Sequence, residues 1–201
     1  MDKDMIRAGL KAAVLQRRST RSYTGEQVPE ELIEEIVEAG RHAPSATNGQ
    51  KTHFFVVRNA EKLAELKTVM TGVLAGIPAE KGMPPTLLSL IERANQGEVD
   101  VTYGAPTLIV TTNEKGSMNA AADTAVAMEN MMLTASACGL ANCWINQFLM
   151  LRDAPALKAF FAGIGVTPNL AVYGALSVGY ATEPLETAPL PRKGNIITYI
   201  R

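Results

Sequence analysis

Much of the usual apparatus of catalysis is missing from this 201-residue chain. Histidine occurs only at His42 and His53, in neither an H-x-x-x-H nor an H-E-x-x-H spacing, and Cys138 and Cys143 do not form a C-x-x-C pair, which argues against a tetrahedral zinc site. No G-x-S-x-G occurs: Ser177 lies one position off register between Gly174 and Gly179, inside an apolar run, so serine hydrolysis has little support. G-x-x-x-x-G-K-[ST] and G-x-G-x-x-G are both absent, and with them the P-loop and Rossmann ways of cradling a phosphate. No apolar run approaches the roughly 20 residues that span a bilayer. The opening Met1-Asp2-Lys3-Asp4 lacks the apolar stretch of a secretory leader, and a cytoplasmic protein is expected. A net charge of −1 provides no global field to draw the molecule onto nucleic acid or an anionic membrane. The two cysteines sit in apolar segments and read as reduced core thiols rather than a disulfide.

What is present describes one layered domain. With 47% hydrophobic and 19% charged residues the chain can bury one substantial core, and a single domain over 1–201 is expected. Met5, Leu10, Ala13 and Val14 recur near helical spacing and predict a helix over 4–16 lying on that core. Pro29 suits a first helical position, Glu30, Glu31 and Glu34 favour the positive end of a dipole, and Leu32, Ile33, Ile36 and Val37 make one apolar stripe that stops at Gly40. After a turn-like stretch over 43–50, the β-branched and aromatic residues of 53–58 predict a central strand. Residues 60–70 read as a helix. The glycines and prolines of 71–100 predict an irregular segment, a lid or insertion.

Farther along, 107–112 reads as a buried strand started by Pro106. A long helix over 119–138 follows, with Met128, Met131 and Met132 filling core. Residues 142–148 then read as a strand, 152–162 as a helix, and 170–180 as a strand broken by Gly174 and ended at Gly179. The last residues, 196–200, are extended in character at the end of a proline-rich arm. Strands and helices in alternation predict helices layered on a sheet.

The densest chemistry is Arg17-Arg18-Ser19-Thr20-Arg21, three guanidiniums and two hydroxyls in five residues. Arg presents a fixed fork of donors that matches phosphate oxygens, and Ser adds a short hydrogen bond, so a phosphorylated cofactor is a natural ligand. The same residues also suit the end of a helix, where cations complement the negative pole of its dipole. In a chain with no evident acid, base or metal, a cofactor carrying its own reactivity is the leading hypothesis.

Four ordered motifs narrow the field. Arg17-Arg18-Ser19-Thr20-Arg21-Ser22-Tyr23, Ala43-Pro44-Ser45-Ala46-Thr47-Asn48-Gly49-Gln50, Tyr103-Gly104-Ala105-Pro106 and Gly139-Leu140-Ala141-Asn142-Cys143-Trp144-Ile145 together resemble the FMN-dependent nitroreductase family over nearly the whole chain. The resemblance implies an α+β nitroreductase-like fold. A mainly antiparallel sheet is flanked by helices and completed by a C-terminal arm (181–201) exchanged between the subunits of a homodimer, with FMN at the interface.

It further implies that Arg17, Ser19, Arg192 and Lys193 hold the FMN phosphate, with Arg18 at the ribityl or phosphate end. Arg21 is implied near flavin N1 and the C2 carbonyl, where reduction builds negative charge and a cation stabilises it. Pro44, Ser45, Ala46 and Asn48 match the loop that packs on the flavin from the opposite subunit; Ala46 stands where some relatives have Ser. Ile145, Asn146 and Gln147 match the strand end facing the isoalloxazine, with the Gln147 N–H aimed at N5. Many relatives carry a Gly in that pair, so the bulkier Asn146 and Gln147 narrow the pocket. Trp144 reads as a structural anchor. The implied activity takes hydride from NADH or NADPH and passes it to a nitroaromatic or quinone in a ping-pong cycle, with residues 71–100 capping the pocket. Two other readings stay open: a flavin-binding storage or sensing protein without turnover, and a flavin-free interaction domain in which the basic cluster only caps a helix.

Overall fold

The structure, a computed structural model, describes residues 2–97 and 99–201; Met1 and Glu98, the latter inside the 71–100 segment, lie outside the described residues. Local sequence sets most helix starts. In α1 (Lys3–Gln16) the Asp2 carboxylate accepts the Asp4 N–H at 3.0 Å, and in α3 (Ala60–Ala75) Asn59 does the same for Lys62 at 2.9 Å. Each satisfies a donor that the helix itself cannot. Proline occupies the first turn of α4 (Pro85–Asn95) and α7 (Pro155–Gly163), where its missing N–H costs nothing. Pro29 is the residue immediately before α2 (Glu30–Arg41).

Four strands, β1 (His53–Val57), β2 (Thr107–Glu114), β3 (Ala141–Ile145) and β4 (Leu170–Gly179), form one sheet among the described residues, in the order β1-β2-β4-β3 with every pairing antiparallel. On one face α2 and α5 (Ala120–Ala137) bury Ile33, Ile36, Met128 and Met131 against Ile109, Leu176 and Val178. On the other, α3, α4, α6 (Gln147–Leu151) and α7 bury Leu66, Met70, Phe148, Leu157 and Phe161 against Leu108, Val110, Ile145 and Val172. With helices on both faces, β2 is buried along nearly its whole length, which explains its unbroken apolar run. The α+β, mainly antiparallel architecture is therefore the expected one. Cys143 is buried, Cys138 is half-buried, and both are free thiols.

Several local expectations need correction. Among the described residues the strand at β1 is an edge, paired with β2 alone; its apolar residues reflect helix packing on both faces, Phe54 on the side of α2 and α5 and Phe55 and Val57 on the other, rather than two sheet neighbours. Residues 71–100 are mostly helical: α3 runs on through Gly72 to Ala75, and α4 starts at Pro85, so the prolines and glycines punctuate helices instead of preventing them. The third strand ends at Ile145, and Gln147 already begins α6. Helix α1 has no buried residue, and its apolar side, with Met5 70% and Leu10 61% exposed, does not lie on this chain's core.

Gly174 does not break β4. The strand continues past a bulge opposite Thr111 and Thr112, and Gly174 is glycine because the Trp144 indole lies across it: a Cβ there would stand 2.8 Å from Trp144 Nε1. Trp144 is thus an anchor between β3 and β4. A Cβ at Gly179 would lie 2.7 Å from the Pro106 ring and 3.0 Å from Tyr23, so the end of β4 is shaped to admit Tyr23.

Candidate functional site

The chain leaves α1 at Arg17 and runs beside β3, held by a bridge between Ser19 and Asn142 and by the Thr20 N–H donating to the Asn142 carbonyl at 3.0 Å. Tyr23 pins the far end. Its ring is buried, and its hydroxyl lies 3.0 Å from the Thr20 carbonyl and 2.9 Å from Ser177 Oγ, which itself donates to the Cys143 carbonyl at 3.2 Å. Burial pushes the Tyr23 phenol far up from its ordinary range, against the opposing pull of the Ser177 hydrogen bond. A second bridge, Tyr23 to Ala181, and the Thr182 hydroxyl donating to Ser22 Oγ at 2.9 Å tie this segment to the root of the C-terminal arm.

The basic cluster divides into two roles. Arg18 turns toward backbone: its guanidinium donates to the carbonyl of Leu15 at 3.0 Å, to that of Arg17 at 2.9 Å, and to Ala188 in the arm. It caps the end of α1, as the dipole reading expected, and fastens the arm to it. Arg17, Ser19 and Arg21 gather elsewhere, around Cys143. Burial raises the Cys143 thiol, while Arg21, a hydrogen bond with Ser19 and Arg17 act against it. Arg17 donates to Ser19 Oγ at 3.5 Å and Arg21 to the Ser19 carbonyl at 3.4 Å. Among the described residues neither guanidinium has a carboxylate within ion-pair distance.

A control for that statement lies at the other end of β4. A cleft of about 390 Å³ there also holds three cations. Each is already engaged: Lys158 with Asp153 at 3.0 Å, Lys115 with the Pro168 carbonyl at 2.5 Å, and Arg152 with the Val172 carbonyl at 3.3 Å and the Tyr173 ring at 5.1 Å. What sets the two places apart is a carboxylate: Asp153 stands 3.0 Å from Lys158 and 4.0 Å from Arg152, whereas among the described residues Arg17 and Arg21 meet only the hydroxyl and carbonyl of Ser19 and, for Arg21, an aromatic ring.

Ile145 is buried at the end of β3, and Asn146 and Gln147 turn the chain into α6. Gln147, as the first residue of that helix, has an N–H beyond the reach of any helical carbonyl. From the Asn142 bridge to Asn146 the strand direction covers about 13 Å at ~3.3 Å per residue, so cations and strand end share one elongated edge. The arm passes the same edge: Leu185 and Thr187 line a cleft of about 460 Å³ with Arg17 and Arg18. Arg192 and Lys193 are exposed farther along it. Arg192 is four residues beyond Ala188 and so at most ~14 Å from it. Among the described residues no hydrogen bond or ion pair joins Arg192 to Arg17.

The remaining predicted residues lie elsewhere. Pro44, Ser45, Ala46 and Asn48 form a tight loop before β1 in which Thr47, Asn48 and Gln50 all take left-handed backbone, with φ of 53°, 55° and 51°. For a β-branched Thr this is strained, and such strain gathers at functional sites. It is held by the Gln50 N–H on Ser45 Oγ at 3.0 Å and by the Ala46 N–H on Asp123 at 3.1 Å, in the first turn of α5. Asn142 instead meets Ser136, near the end of α5, at 3.0 Å. Asp123 and Ser136 are thirteen steps apart along the helix, about 20 Å at ~1.5 Å per residue. The sheet agrees: His53 pairs with Thr112, which pairs in turn with Val172, whereas Asn142 pairs with Val178, about 20 Å along β4 at ~3.3 Å per residue and on the opposite edge. Within one chain, then, the structure brings Arg17, Ser19, Arg21 and the 145–147 turn to one edge and puts the 44–48 loop at the other.

Sequence reasoning assigned no part to Tyr23, Tyr103, Asp100 or Asp123. The tyrosines stand inside two of the motifs. Asp123 carries no local signal, because the Ala46 N–H that it receives comes from a segment that only the fold brings near; Asp100 receives N–H groups from Thr102 and Gly104 in its own turn, and an Asp two residues before such a turn is the signal that could have found it.

Comparison with known proteins gives this arrangement its relatives. The model of the nitroreductase family matches residues 14–180. A nitroreductase of Bacteroides fragilis, solved with bound FMN, is 34% identical, with 96% of this chain and 98% of that one covered and a TM-score of 0.85. One from Desulfitobacterium hafniense, also solved with bound FMN, is 25% identical over 96% of this chain and 98% of that one, with a TM-score of 0.81. A protein of Archaeoglobus fulgidus, named provisionally as an NADH dehydrogenase/NAD(P)H nitroreductase, is 26% identical over 85% of this chain and 84% of its own. No described helix is long and apolar enough to cross a membrane. Motifs, sheet order and relatives converge, and the chain belongs to the nitroreductase family.

Proposed function

We propose that the protein is an FMN-dependent oxidoreductase that takes hydride from NADH or NADPH and delivers it to an electron-poor acceptor, a nitroaromatic or a quinone, the two substrates using one place in turn. The observation that carries this reading is the gathering of Arg17, Ser19 and Arg21 without a counter-carboxylate, in a chain 34% identical to an FMN-bound nitroreductase. A guanidinium without a counter-carboxylate beside a hydroxyl, Arg17 with Ser19, is a donor set suited to a phosphate, and Arg21 leaves a second cation for another part of the same cofactor.

In this reading Arg17 and Ser19 hold the phosphate, and the arm delivers Arg192 and Lys193 to the same charge. Arg18 braces the arm through Ala188. Arg21 meets the pyrimidine edge, where a fixed cation favours added negative charge. Ile145, Asn146 and Gln147 present backbone to the ring, and the Gln147 N–H donates to its N5 edge. Once bound, FMN supplies the two-electron chemistry, so the protein's share is binding, orientation and electrostatics. The 71–100 segment covers the pocket and selects the acceptor.

Since the 44–48 loop lies about 20 Å from the basic edge, a complete site takes that loop from a second copy, and a two-fold homodimer makes two such sites. The surfaces left bare support this: Met5, Ile6, Leu10 and Val14 on α1, Ile196, Ile197 and Ile200 on the arm, and the open edge of β1. The arm of one subunit completes the sheet of the other along that edge.

The test is spectroscopic. The purified protein should show flavin absorbance or take it up from added FMN, lose it when NADH or NADPH is added without oxygen, and regain it when a nitroaromatic or quinone follows. A colourless protein that takes up no FMN overturns the reading. A yellow one that neither nicotinamide bleaches is the storage or sensing alternative.

A further inference from the structure

Arg21 is an exposed, flexible side chain with one long hydrogen bond, yet one neighbour is built to meet it. The ring of Tyr103 lies with its centroid 5.9 Å from the Arg21 guanidinium carbon, within the range where an aromatic face attracts a cation. Tyr103 adopts left-handed backbone, φ 60°, a conformation that its side chain does nothing to favour.

The turn that enforces it is specific. One carboxylate, Asp100, receives the Thr102 N–H at 2.8 Å, the Thr102 hydroxyl at 2.6 Å and the Gly104 N–H at 3.0 Å, on both sides of Tyr103. Gly104 follows with φ 79°, and Pro106 then leads into β2. The half-buried ring is gripped by packing against the main core and against the small cluster of Tyr23, Ala105 and Ala141. A strained residue fixed on three sides, with its ring against the one cation assigned to the flavin's electron-accepting end, is a pre-organising device.

We propose that Tyr103 is the positioning residue for Arg21: the Asp100 turn holds the ring in place, and the ring holds the guanidinium where it acts on the cofactor. This rests on the flavin reading of Arg21. Without the ring, Arg21 keeps its charge but samples many rotamers and must be ordered on each binding event. An exposed cation–π contact of this kind corresponds to a two- to fivefold effect, about 10–20 mV at 29.6 mV per tenfold for a two-electron couple.

The experiment is a double-mutant cycle read by the midpoint potential of bound FMN and by the FMN dissociation constant of the apoprotein. Tyr103→Asn removes the ring while keeping a residue that tolerates left-handed backbone, and Tyr103→Phe restores the ring alone. The expected result is a midpoint lowered by about 10–20 mV and FMN bound two- to fivefold more weakly in Tyr103→Asn, both recovered in Tyr103→Phe, and neither changed by Tyr103→Asn once Arg21→Ala is present. An equal shift in the Arg21→Ala background, or no recovery with Phe, overturns the assignment. An Arg21→Ala protein that keeps FMN at an unchanged potential overturns the flavin role of Arg21 and the inference with it.

Discussion

Replacing Tyr23 by Phe removes one oxygen atom and leaves the ring in its slot beside Gly179, so the change probes the hydroxyl alone. That hydroxyl serves the Thr20 carbonyl at 3.0 Å and Ser177 Oγ at 2.9 Å, both within a buried network that ends at the Cys143 carbonyl. Losing a buried hydrogen bond and leaving a polar partner unmet costs about 2 kcal/mol, which for a chain of this size lowers Tm by about 4–8 °C. The same variant has a pH signature. Tyr23 keeps its proton in the folded state far above the ordinary tyrosine value of about 10, because burial disfavours the phenolate. Above about pH 10 the unfolded chain releases that proton and the folded chain does not, so its contribution is whole below pH 10 and falls by up to ~1.4 kcal/mol per pH unit above it. Tyr23→Phe lacks this loss, and its stability gap from the parent should narrow from pH 10 upward. Urea unfolding at pH 7.5 and at pH 10.5, with FMN held in excess in both proteins, measures both effects. A variant within about 0.5 kcal/mol of the parent at pH 7.5 and parallel to it across that pH range would refute the claim that the hydroxyl anchors residues 19–24.

Other expectations follow from the same contacts. Gly179→Ala drives a methyl group against the rigid Pro106 ring and Tyr23 and should cost about 1–3 kcal/mol in urea unfolding, whereas Gly72→Ala, which meets nothing within 4 Å inside α3, should stabilise by about 0.5–1 kcal/mol. Arg17→Ala should weaken FMN binding about 10- to 150-fold, the worth of one or two charge-assisted hydrogen bonds; Arg18→Ala should affect it far less and instead speed proteolysis of the arm beyond Thr182, as its donors end on Leu15, Arg17 and Ala188 carbonyls. Leu10→Glu, on the exposed face of α1, should shift the protein toward monomer in analytical ultracentrifugation with little change in monomer helicity; an unaltered sedimentation coefficient would place the interface elsewhere.

The parts of the fold that the residues announce are those governed by local rules. Pro29, the glutamates after it and the stripe from Leu32 to Val37 delimit α2 almost to the residue, and the apolar run at 107–112 is β2 because helices cover both of its faces. What local rules miss is what the fold decides at a distance. His53 to Val57 looks central because its composition records packing on its two faces, Phe54 on one and Phe55 and Val57 on the other, and says nothing of how many strands flank it. Met5 and Leu10 look like core residues because an apolar helix face reads alike in sequence whether or not its own chain covers it. The prolines and glycines of 71–100 look like loop but mark the ends of α3 and α4. In the site, Arg17, Ser19 and Arg21 are visible as a motif. That Arg18 faces away, that Asp123 holds the 44–48 loop, and that the loop stands at the wrong end of α5 to join them depend on tertiary contacts alone.

That last separation is the claim on which the account turns: neither half of the site works without a second chain. Two differently tagged variants test it, Arg17→Ala/Arg21→Ala in one and Pro44→Asp in the other, each expected to carry little or no FMN as a homodimer. Co-expressed and purified through both tags, the mixed dimer holds one site with all the defects and one with none. The account predicts one FMN for every two chains, bleached by NADH or NADPH. A mixed dimer as empty as its parents would mean that each chain builds its site from its own residues, and would contradict it.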